Sequence, residues 1–316
     1  MKKLVLKQRG DRPHWVGDGF PVRSIFTYND LAHQISPFLL MDYAGPAEFP
    51  PAEDNHIRGV DSHPHRGFET VTVVYHGEVE HRDSSGGGGI IKPGDVQWMT
   101  AASGLVHEEK HGKEFSKKGG RFEMVQLWVN LPQKDKMSKP RYQGIKNEQI
   151  PVVTLHDADK SDVVAGTLRL IAGEFRNTST TIGPAKTFTP INLWDIQVKA
   201  GSRVRLPVVE GRTATLFVLK GQIQTPSVDT TGASGPSAGV TTVNEAELAI
   251  FERSSTEVEF TVTQDSQLLF MGGEPIEEPI VGYGPFVMNT TAEIYQAFDD
   301  FNSGKMGEIS NIEGTE

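Results

Sequence analysis

Two short pairs of potential metal ligands carry the most specific chemistry in this sequence. His63 and His65 are two residues apart, and so are His107 and Glu109. On a β strand, residues i and i+2 point to the same face, so each pair can present two ligands to one ion. Three imidazoles and one carboxylate suit Fe(II), Mn(II), Ni(II) or Zn(II), with positions left open for a substrate or dioxygen. The spacing therefore predicts a mononuclear metal site.

A rival motif overlaps the second pair. The residues from His107 to His111 form a literal H-E-x-x-H, which in zinc peptidases places two histidines one turn apart on a helix. The preceding sequence, PGDVQWMTAASGLV, is typical of β structure, and Gly112 follows the motif directly. We therefore expect a strand, on which Glu109 is functional and His111 is not.

Other polar residues near these pairs are less specific. Glu69 has the same parity as the first histidine pair, so it is the second candidate for the carboxylate ligand. A group that orients a ligand histidine and a structural salt bridge are the other interpretations of Glu69. His76 and His81 lie on or beside a predicted hairpin, and we expect both to be solvated strand residues.

The segments that must position these ligands are predominantly predicted strands. FETVTVVY (68–75) and MVQLWVNL (124–131) are rich in β-branched and aromatic residues, and several similar runs follow residue 166. The strongest predicted helix covers Thr290 to Lys305, with a threonine cap, apolar residues at helical spacing and a glycine stop. Its predicted apolar positions are Ile294, Ala297, Phe298 and Phe301.

The two halves of the chain share one pattern. Residues 70–80 align with 214–224, and residues 96–104 align with 247–255. Such an internal repeat predicts a tandem pair of antiparallel sandwiches or barrels. In this alignment Pro207 and Val209 stand where the first half has His63 and His65, and Val258 and Phe260 stand where it has His107 and Glu109. We therefore expect a metal in the first half and a plain apolar core in the second.

The repeat and the composition of its linkers suggest four parts. We predict an N-terminal metal-binding domain over 1–135, a linker over 136–165, a C-terminal domain without metal ligands over 166–289, and a helix with a tail over 290–316. A Gly/Ser-rich hairpin tip lies between Thr225 and Thr242.

Composition excludes several classes of function. The chain has 316 residues and no cysteine, which excludes a disulfide framework, an iron–sulfur cluster and a thiol nucleophile. Its net charge of -10 argues against direct nucleic-acid binding, which needs clustered Lys and Arg. We expect no membrane span, and the apolar run at residues 4–6 is too short for a signal-peptide core. The predicted location is the cytoplasm.

Seven segments of the chain resemble the pirin family, a group of bicupins within the cupin superfamily. The resemblance spans roughly residues 20–145 and 270–307 and rests on HPHRGFETVT, GEVEHRDS, PGDVQWMTA, SGLVHEE, FEMVQLWVNLP, KMSKPRYQ and GPFVMNT. It implies an all-β fold of two tandem cupin domains with a short C-terminal helix. It also implies a metal site of three histidines and a glutamate, which falls on His63, His65, His107 and Glu109, and a C-terminal cupin without ligands.

The resemblance implies two functions. Bacterial pirins are associated with quercetin 2,3-dioxygenase activity, for which the implied partners are O2 and a flavonol-like substrate, with Fe(II) as the first choice of metal. Mn(II), Ni(II), Co(II), Cu(II) and Zn(II) are alternatives, and Glu109 is the expected general base. Animal pirins are described as iron-dependent nuclear coregulators, which implies instead a protein partner, with the metal as a structural element or redox sensor. A cupin of isomerase or small-molecule-binding type is a third interpretation.

Overall fold

The computed structural model of the protein describes residues 1–10, 12–53, 56–228 and 239–309. Of the described residues, 57% are in strands and 11% in helices, as the all-β prediction requires. The helices are α1 (Tyr28–Ile35), α2 (Lys113–Lys118) and α3 (Thr291–Asn302). The first twelve strands are β1 (Leu4–Arg9), β2 (Pro13–Val16), β3 (Phe20–Thr27), β4 (Phe38–Phe49), β5 (Gly59–His65), β6 (Phe68–His76), β7 (Val79–Asp83), β8 (Gly88–Ile91), β9 (Val96–Thr100), β10 (Leu105–His111), β11 (Gly120–Asn130) and β12 (Arg141–Ile145). The remaining strands are β13 (Val152–His156), β14 (Val164–Ala172), β15 (Glu174–Arg176), β16 (Thr180–Ile182), β17 (Ile191–Val198), β18 (Arg203–Pro207), β19 (Thr213–Ser227), β20 (Gly239–Asn244), β21 (Glu247–Phe251), β22 (Glu257–Gly273), β23 (Val281–Tyr283) and β24 (Phe286–Met288).

The chain forms two compact units, and each unit is made of three separate segments of the sequence. The N-terminal unit comprises Asp11–Ala32, Phe38–Asn147 and Ile276–Glu316, and the C-terminal unit comprises Met1–Gly10, His33–Pro37 and Glu148–Pro275. The four-part division given above stays a prediction. The compact units add that the first ten residues belong with the second half of the chain, and that the last segment belongs with the first half.

The N-terminal unit is built on two antiparallel sheets. One has seven strands in the order β12-β9-β6-β11-β4-β3-β2, and the other has four in the order β5-β10-β7-β8. Apolar side chains on alternate residues of these strands form a core, as the period-2 pattern predicts; it includes Phe20, Val22, Val74, Phe122 and Met124. The short sheet carries the predicted metal ligands on neighbouring strands, and its strand β10 pairs on one side with β5 and on the other with β7.

The C-terminal unit repeats this strand order. In its nine-stranded sheet β18 pairs with β22, β22 with β19 and β19 with β20, which matches the order β5-β10-β7-β8. The order β21-β19-β22-β17 likewise matches β9-β6-β11-β4. The predicted internal repeat and the two-domain fold are therefore confirmed.

The alignment of the first histidine pair was off by one residue. His63 lies opposite His107 in the β5–β10 pair, whereas Leu206, not Pro207, lies opposite Val258 in the β18–β22 pair. Val258 and Leu206 are both fully buried in the core of the C-terminal unit, while Val209 is 44% exposed. An apolar residue therefore does replace His63 in the C-terminal unit, but that residue is Leu206 and not Pro207.

The helix predicted near the C-terminus is present, and two others were not predicted. Thr290 caps α3 in a capping box with Glu293, and Gly304 follows the helix end with a φ of 76°. Ile294 and Ala297 are buried as expected, whereas Phe301, on the same face at the end of the helix, is 37% exposed.

In the described part of the chain, no helix has the length and apolarity to cross a membrane. Strand β19 continues to Ser227 and β20 begins at Gly239, so both flanks of the predicted hairpin tip are strand. Residues 229–238 of that tip, and residues 310–316 of the predicted tail, lie outside the described residues.

Candidate metal centre

Strand pairing gathers the three predicted histidines. In the β5–β10 pair, His63 lies opposite His107 and His65 lies opposite Leu105. One potential ligand atom from each of His63, His65 and His107 falls within 4.8 Å of the others. The ring centroids are 4.3 Å apart for His63 and His107, 4.8 Å for His65 and His107, and 4.9 Å for His63 and His65. We call this group the histidine cluster.

The Nδ1 atom of each ring in the cluster faces a polar atom of the protein. Nδ1 of His63 lies 2.8 Å from the Asp61 carbonyl oxygen, and Nδ1 of His65 lies 3.3 Å from the Pro285 carbonyl oxygen. Nδ1 of His107 lies 3.4 Å from Nδ1 of His81. Nε2 is therefore the nitrogen of each ring that is available to a ligand. Among the residues that the structure describes, Nε2 of His107 is buried without a hydrogen-bond partner. Such a set of nitrogen donors fits a divalent metal ion.

Burial favours the neutral form of His65 and His107 in the cluster. Burial, reinforced by the neighbouring histidines, lowers the pKa of His65 and of His107 well below the ordinary value. Only the neutral imidazole offers a lone pair to a metal, so these two rings are ready to bind one at neutral pH.

Glu109 lies on β10, two residues after His107. It groups within 4.8 Å with His81 and His107, and a shift in register separates it from the His107–His63 pair. Its carboxylate accepts hydrogen bonds from Gln97 Nε2 at 2.7 Å and from Gln126 Nε2 at 2.8 Å. Those amides fix its orientation, and its role as fourth ligand and as base stays a prediction.

Glu69 points away from this region. It sits on β6, whose residues alternate between faces, and Thr72 on the opposite face lies 3.4 Å from Glu109. Glu69 accepts a hydrogen bond from Thr100 Oγ1 at 2.6 Å and lies 3.7 Å from Arg141 Nη2. Burial raises its pKa. Among the described residues it joins neither metal-type grouping, which leaves Glu109 as the better candidate.

The structure contradicts the interpretation of residues 107–111 as the helical H-E-x-x-H motif of a zinc peptidase. Strand β10 runs through His111, so the two histidines of that motif are not one helical turn apart. His111 Nε2 lies 2.8 Å from the Gly19 carbonyl oxygen, and its ring stacks on Phe122 with centroids 4.9 Å apart. His111 is a core residue, as the strand prediction implies.

A small cavity adjoins the cluster. Its volume is about 30 Å³, and its lining includes apolar side chains together with Asp42, His63, Glu109 and Gln126. That volume suffices for about one water molecule, whereas pockets for organic ligands run to roughly 300–1,000 Å³. Phe68 and Trp128, stacked with centroids 4.2 Å apart, flank the His65 ring at 5.1 and 5.3 Å.

Several residues of this region were missed at the sequence level. His81 was expected to be solvated, and that expectation is wrong: the residue is fully buried beside His107. Gln97 and Gln126, which hold Glu109, were not singled out. The available signal for His81 was its i, i+2 spacing from Asp83 on a strand, the same spacing that drew attention to the other pairs.

Fold and site together define a class: a protein of two cupin-type β domains, with a histidine cluster in one domain and an apolar core in the other. The sequence matches the Pirin family over residues 19–129 and the Pirin C-terminal cupin domain over residues 193–307. The chain belongs to the pirin family.

Individual relatives agree with this membership. A Pseudomonas aeruginosa protein named "Putative quercetin 2,3-dioxygenase" is 51% identical over 96% of this chain and 98% of its own length. The crystal structure of quercetin 2,3-dioxygenase from Acinetobacter baumannii is 47% identical, covers 98% of this chain and 100% of its own, and superposes with a TM-score of 0.86. A bacterial pirin from Escherichia coli, solved in complex with nickel(II), shares the fold at 18% identity and a TM-score of 0.55, over 86% of this chain and 98% of its own.

Proposed function

We propose that this protein is a metal-dependent dioxygenase that opens a flavonol such as quercetin with O2 at a mononuclear centre. The proposed ligands are Nε2 of His63, His65 and His107, with Glu109 as the carboxylate. Iron(II) is the proposed metal, and the other divalent ions named above suit the same donors. The observation that carries the proposal is the buried, unpartnered Nε2 of His107 beside two further imidazoles. The names of the Pseudomonas and Acinetobacter relatives support the substrate class.

The side chains around the cluster divide the work. A divalent metal bound there would supply Lewis acidity for the flavonol hydroxyl and redox chemistry toward dioxygen. Glu109 would accept the hydroxyl proton at a carboxylate oxygen, since Gln97 and Gln126 hold that carboxylate in one orientation. The stacked rings of Phe68 and Trp128 would shield the His65 side of the site from water.

Oxygen uptake with quercetin tests the proposal. Protein loaded separately with iron, manganese or nickel should consume O2 with quercetin, and His63→Ala should lose that uptake. His76→Ala is the control, because His76 is a half-exposed histidine of the same unit outside the cluster. Absence of uptake with every metal would remove the substrate assignment, and uptake unchanged in His63→Ala would remove the site assignment.

The size of the cavity favours a second candidate function. At about 30 Å³, the cavity beside His63 and Glu109 does not admit a flavonol unless the surrounding strands move. An iron-dependent regulatory protein, with the metal as a structural element or redox sensor and a protein as partner, needs no such opening. Iron binding without turnover, together with a partner affinity that changes between Fe(II) and Fe(III), would favour this candidate.

The cytoplasmic location stays a prediction.

A further inference from the structure

Behind His107, on the side away from His63 and His65, a buried chain of polar groups continues into the protein. Nδ1 of His81 lies 3.4 Å from Nδ1 of His107, and Nε2 of His81 lies 3.1 Å from Oδ2 of Asp83. Asp83 Oδ1 in turn accepts hydrogen bonds from the Ser85 backbone at 2.8 Å, the Ser85 hydroxyl at 2.6 Å and the Gly87 backbone at 3.0 Å. The side chains of His81 and Asp83 are both fully buried.

Strand register puts these groups in line. In the β7–β10 pair, Asp83 lies opposite His107 and His81 lies opposite Glu109. Tyr142 covers His81 from the neighbouring β12, with its ring parallel to the imidazole at 10° and 4.9 Å between centroids. The imidazole of His81 is therefore clamped between a stacked ring, a carboxylate and the histidine cluster.

The carboxylate of Asp83, the last of these buried polar groups, is a hydrogen-bond acceptor. Burial raises the pKa of Asp83, but hydrogen bonds from His81, Ser85 and Gly87 outweigh it and leave that pKa below the ordinary value. An ionised carboxylate can only accept, so the proton between His81 and Asp83 belongs to Nε2 of His81.

The remaining protons follow from that one. With its proton on Nε2, His81 can accept a hydrogen bond at Nδ1, and Nδ1 of His107 then donates the proton that joins the two rings. Nε2 of His107 then keeps its lone pair. This is the nitrogen that is buried without a partner and that faces the proposed metal.

We propose that Asp83 and His81 are positioning residues that fix His107 in the tautomer and orientation that bind metal through Nε2. The inference rests on the histidine cluster of the proposed function. A metal-ligating histidine commonly donates its other ring nitrogen to an acceptor, and loss of that acceptor weakens metal binding by about 10–100-fold. Here a second imidazole, itself oriented by a carboxylate, serves as the acceptor.

The same atoms admit one rival interpretation, a second metal site. His81, His107 and Glu109 also offer ligand atoms within 4.8 Å of one another. However, Nε2 of His81 is engaged by Asp83, so this ring has only Nδ1 left to offer. A proton between the two Nδ1 atoms explains their 3.4 Å separation without a second ion.

Asp83→Asn is the sharpest test. The asparagine amide can donate to Nε2 of His81, which moves that ring's proton to Nδ1 and forces the proton of His107 onto Nε2, toward the metal. Nitrogen chemical shifts of labelled histidines in chelator-treated protein should show His107 protonated on Nδ1 in the wild type and on Nε2 in the variant. Calorimetric titration with nickel(II) should show an affinity about 10–100-fold weaker in the variant.

Two variants at His81 guard against a folding artefact. His81→Leu removes the acceptor and should weaken nickel binding by a similar factor, whereas His81→Asn places an amide oxygen near the Nδ1 position and should restore most of the affinity. Arg82→Gln is the control, because Arg82 lies between the two positioning residues but is exposed and pairs with Glu108. Its affinity should equal that of the wild type. Equal nickel affinity in wild type, His81→Leu and Asp83→Asn would overturn the proposal.

The readouts separate this proposal from the proposed function. If the wild type binds nickel but does not consume oxygen with quercetin, the substrate assignment fails and the affinity series still decides the role of His81. If the wild type binds no nickel, the metal centre fails, and protonation of His107 on Nε2 in the chelator-treated wild type would overturn the proton order as well. Two nickel ions per chain, with one lost in His81→Leu, would overturn the proposal in favour of a second metal site.

Discussion

One row of paired residues differs completely between the two units. In the N-terminal unit, neighbouring strands align Gln97, Thr72, Gln126, Asp42 and Ser24 side by side. In the C-terminal unit the corresponding ladder aligns Ala249, Leu216, Phe270, Trp194 and Leu170. All five residues of the second row belong to one buried apolar cluster. We call the two sets the polar row and the apolar row.

The difference shows what a buried carboxylate requires from its scaffold. Glu109 is buried, and a buried carboxylate is costly unless donors satisfy it. The polar row supplies those donors through Gln97, Gln126 and Thr72. In the C-terminal unit the residue aligned with Glu109 is Phe260, which packs with the apolar row and needs no donor. One fold therefore carries either a satisfied polar site or an ordinary core at the same place.

The largest expected effect comes from placing the carboxylate where the row is apolar. Phe260→Glu should lower the free energy of unfolding by more than about 3 kcal/mol, because the new charge would be buried without donors. Guanidinium unfolding followed by circular dichroism measures this loss. The control is Thr261→Glu, at the next and exposed position of β22, which should change stability by no more than about 0.5 kcal/mol.

A mild effect of Phe260→Glu would contradict the claim that a buried carboxylate needs the polar row. If that variant lay within about 1 kcal/mol of the wild type, the C-terminal unit would accommodate a carboxylate without a polar row. The donors around Glu109 would then have no special importance for its burial.

Sequence reasoning singled out the residues of this region whose signal is local spacing. The pairs His63/His65 and His107/Glu109 were found because their i, i+2 spacing can be read directly from the sequence. The internal repeat was found in the same way. The i, i+2 spacing of His81 from Asp83 was an available signal, but the burial of His81 depends on the pairing of β7 with β10, which spacing within one strand does not reveal. The exchange of Leu206 for Pro207 has the same origin, because register is set by a partner strand some fifty residues away.

The polar row was missed for another reason. Gln97 and Gln126 sit in strands that otherwise read as apolar, and a lone glutamine gives no sign of its partner. Only the ladder that places both beside Thr72, facing Glu109, identifies them as a set. The short helices α1 and α2 were not predicted, because a segment of six to eight residues shows too little helical periodicity in its apolar residues.

A smaller effect is expected from removing one donor of the polar row. Gln126→Leu leaves an oxygen of Glu109 without its hydrogen bond and should cost about 1.5–3 kcal/mol, the usual range for a bond to a charged group. The double variant Gln126→Leu with Glu109→Leu should cost less than the sum of the two single changes, because it removes both partners and approaches the apolar row. Urea unfolding of chelator-treated protein gives the three free energies. Strict additivity would show that Gln126 and Glu109 are not energetically coupled.

The smallest effect is expected at the edge of the histidine cluster. Arg66 directly follows His65, and its buried guanidinium donates to the Ser103 carbonyl oxygen at 2.7 Å and to Asp300 of α3 at 2.9 Å. Asp300→Asn keeps an amide oxygen that can still accept from Arg66, so a charge-assisted hydrogen bond becomes an ordinary one and the loss of stability at pH 7 should be about 1 kcal/mol. Thr290→Ala, which removes the cap of the same helix, is a control of similar size without a charge change.

The pH dependence distinguishes these two variants. Hydrogen bonds from Lys305 and Arg66 lower the pKa of Asp300 to about 2 in the folded protein, from an ordinary value of 3.8. A carboxyl whose pKa is depressed by folding contributes stability that is complete above its unfolded pKa and is lost as pH falls through its folded pKa. The gap between wild type and Asp300→Asn should therefore be constant from pH 7 to about pH 4 and close toward pH 2, whereas the gap for Thr290→Ala should not follow that window. Urea midpoints across this range measure both gaps, and a gap for Asp300→Asn that persisted at pH 2 would mean that the charge of Asp300 does not secure Arg66 beside the cluster.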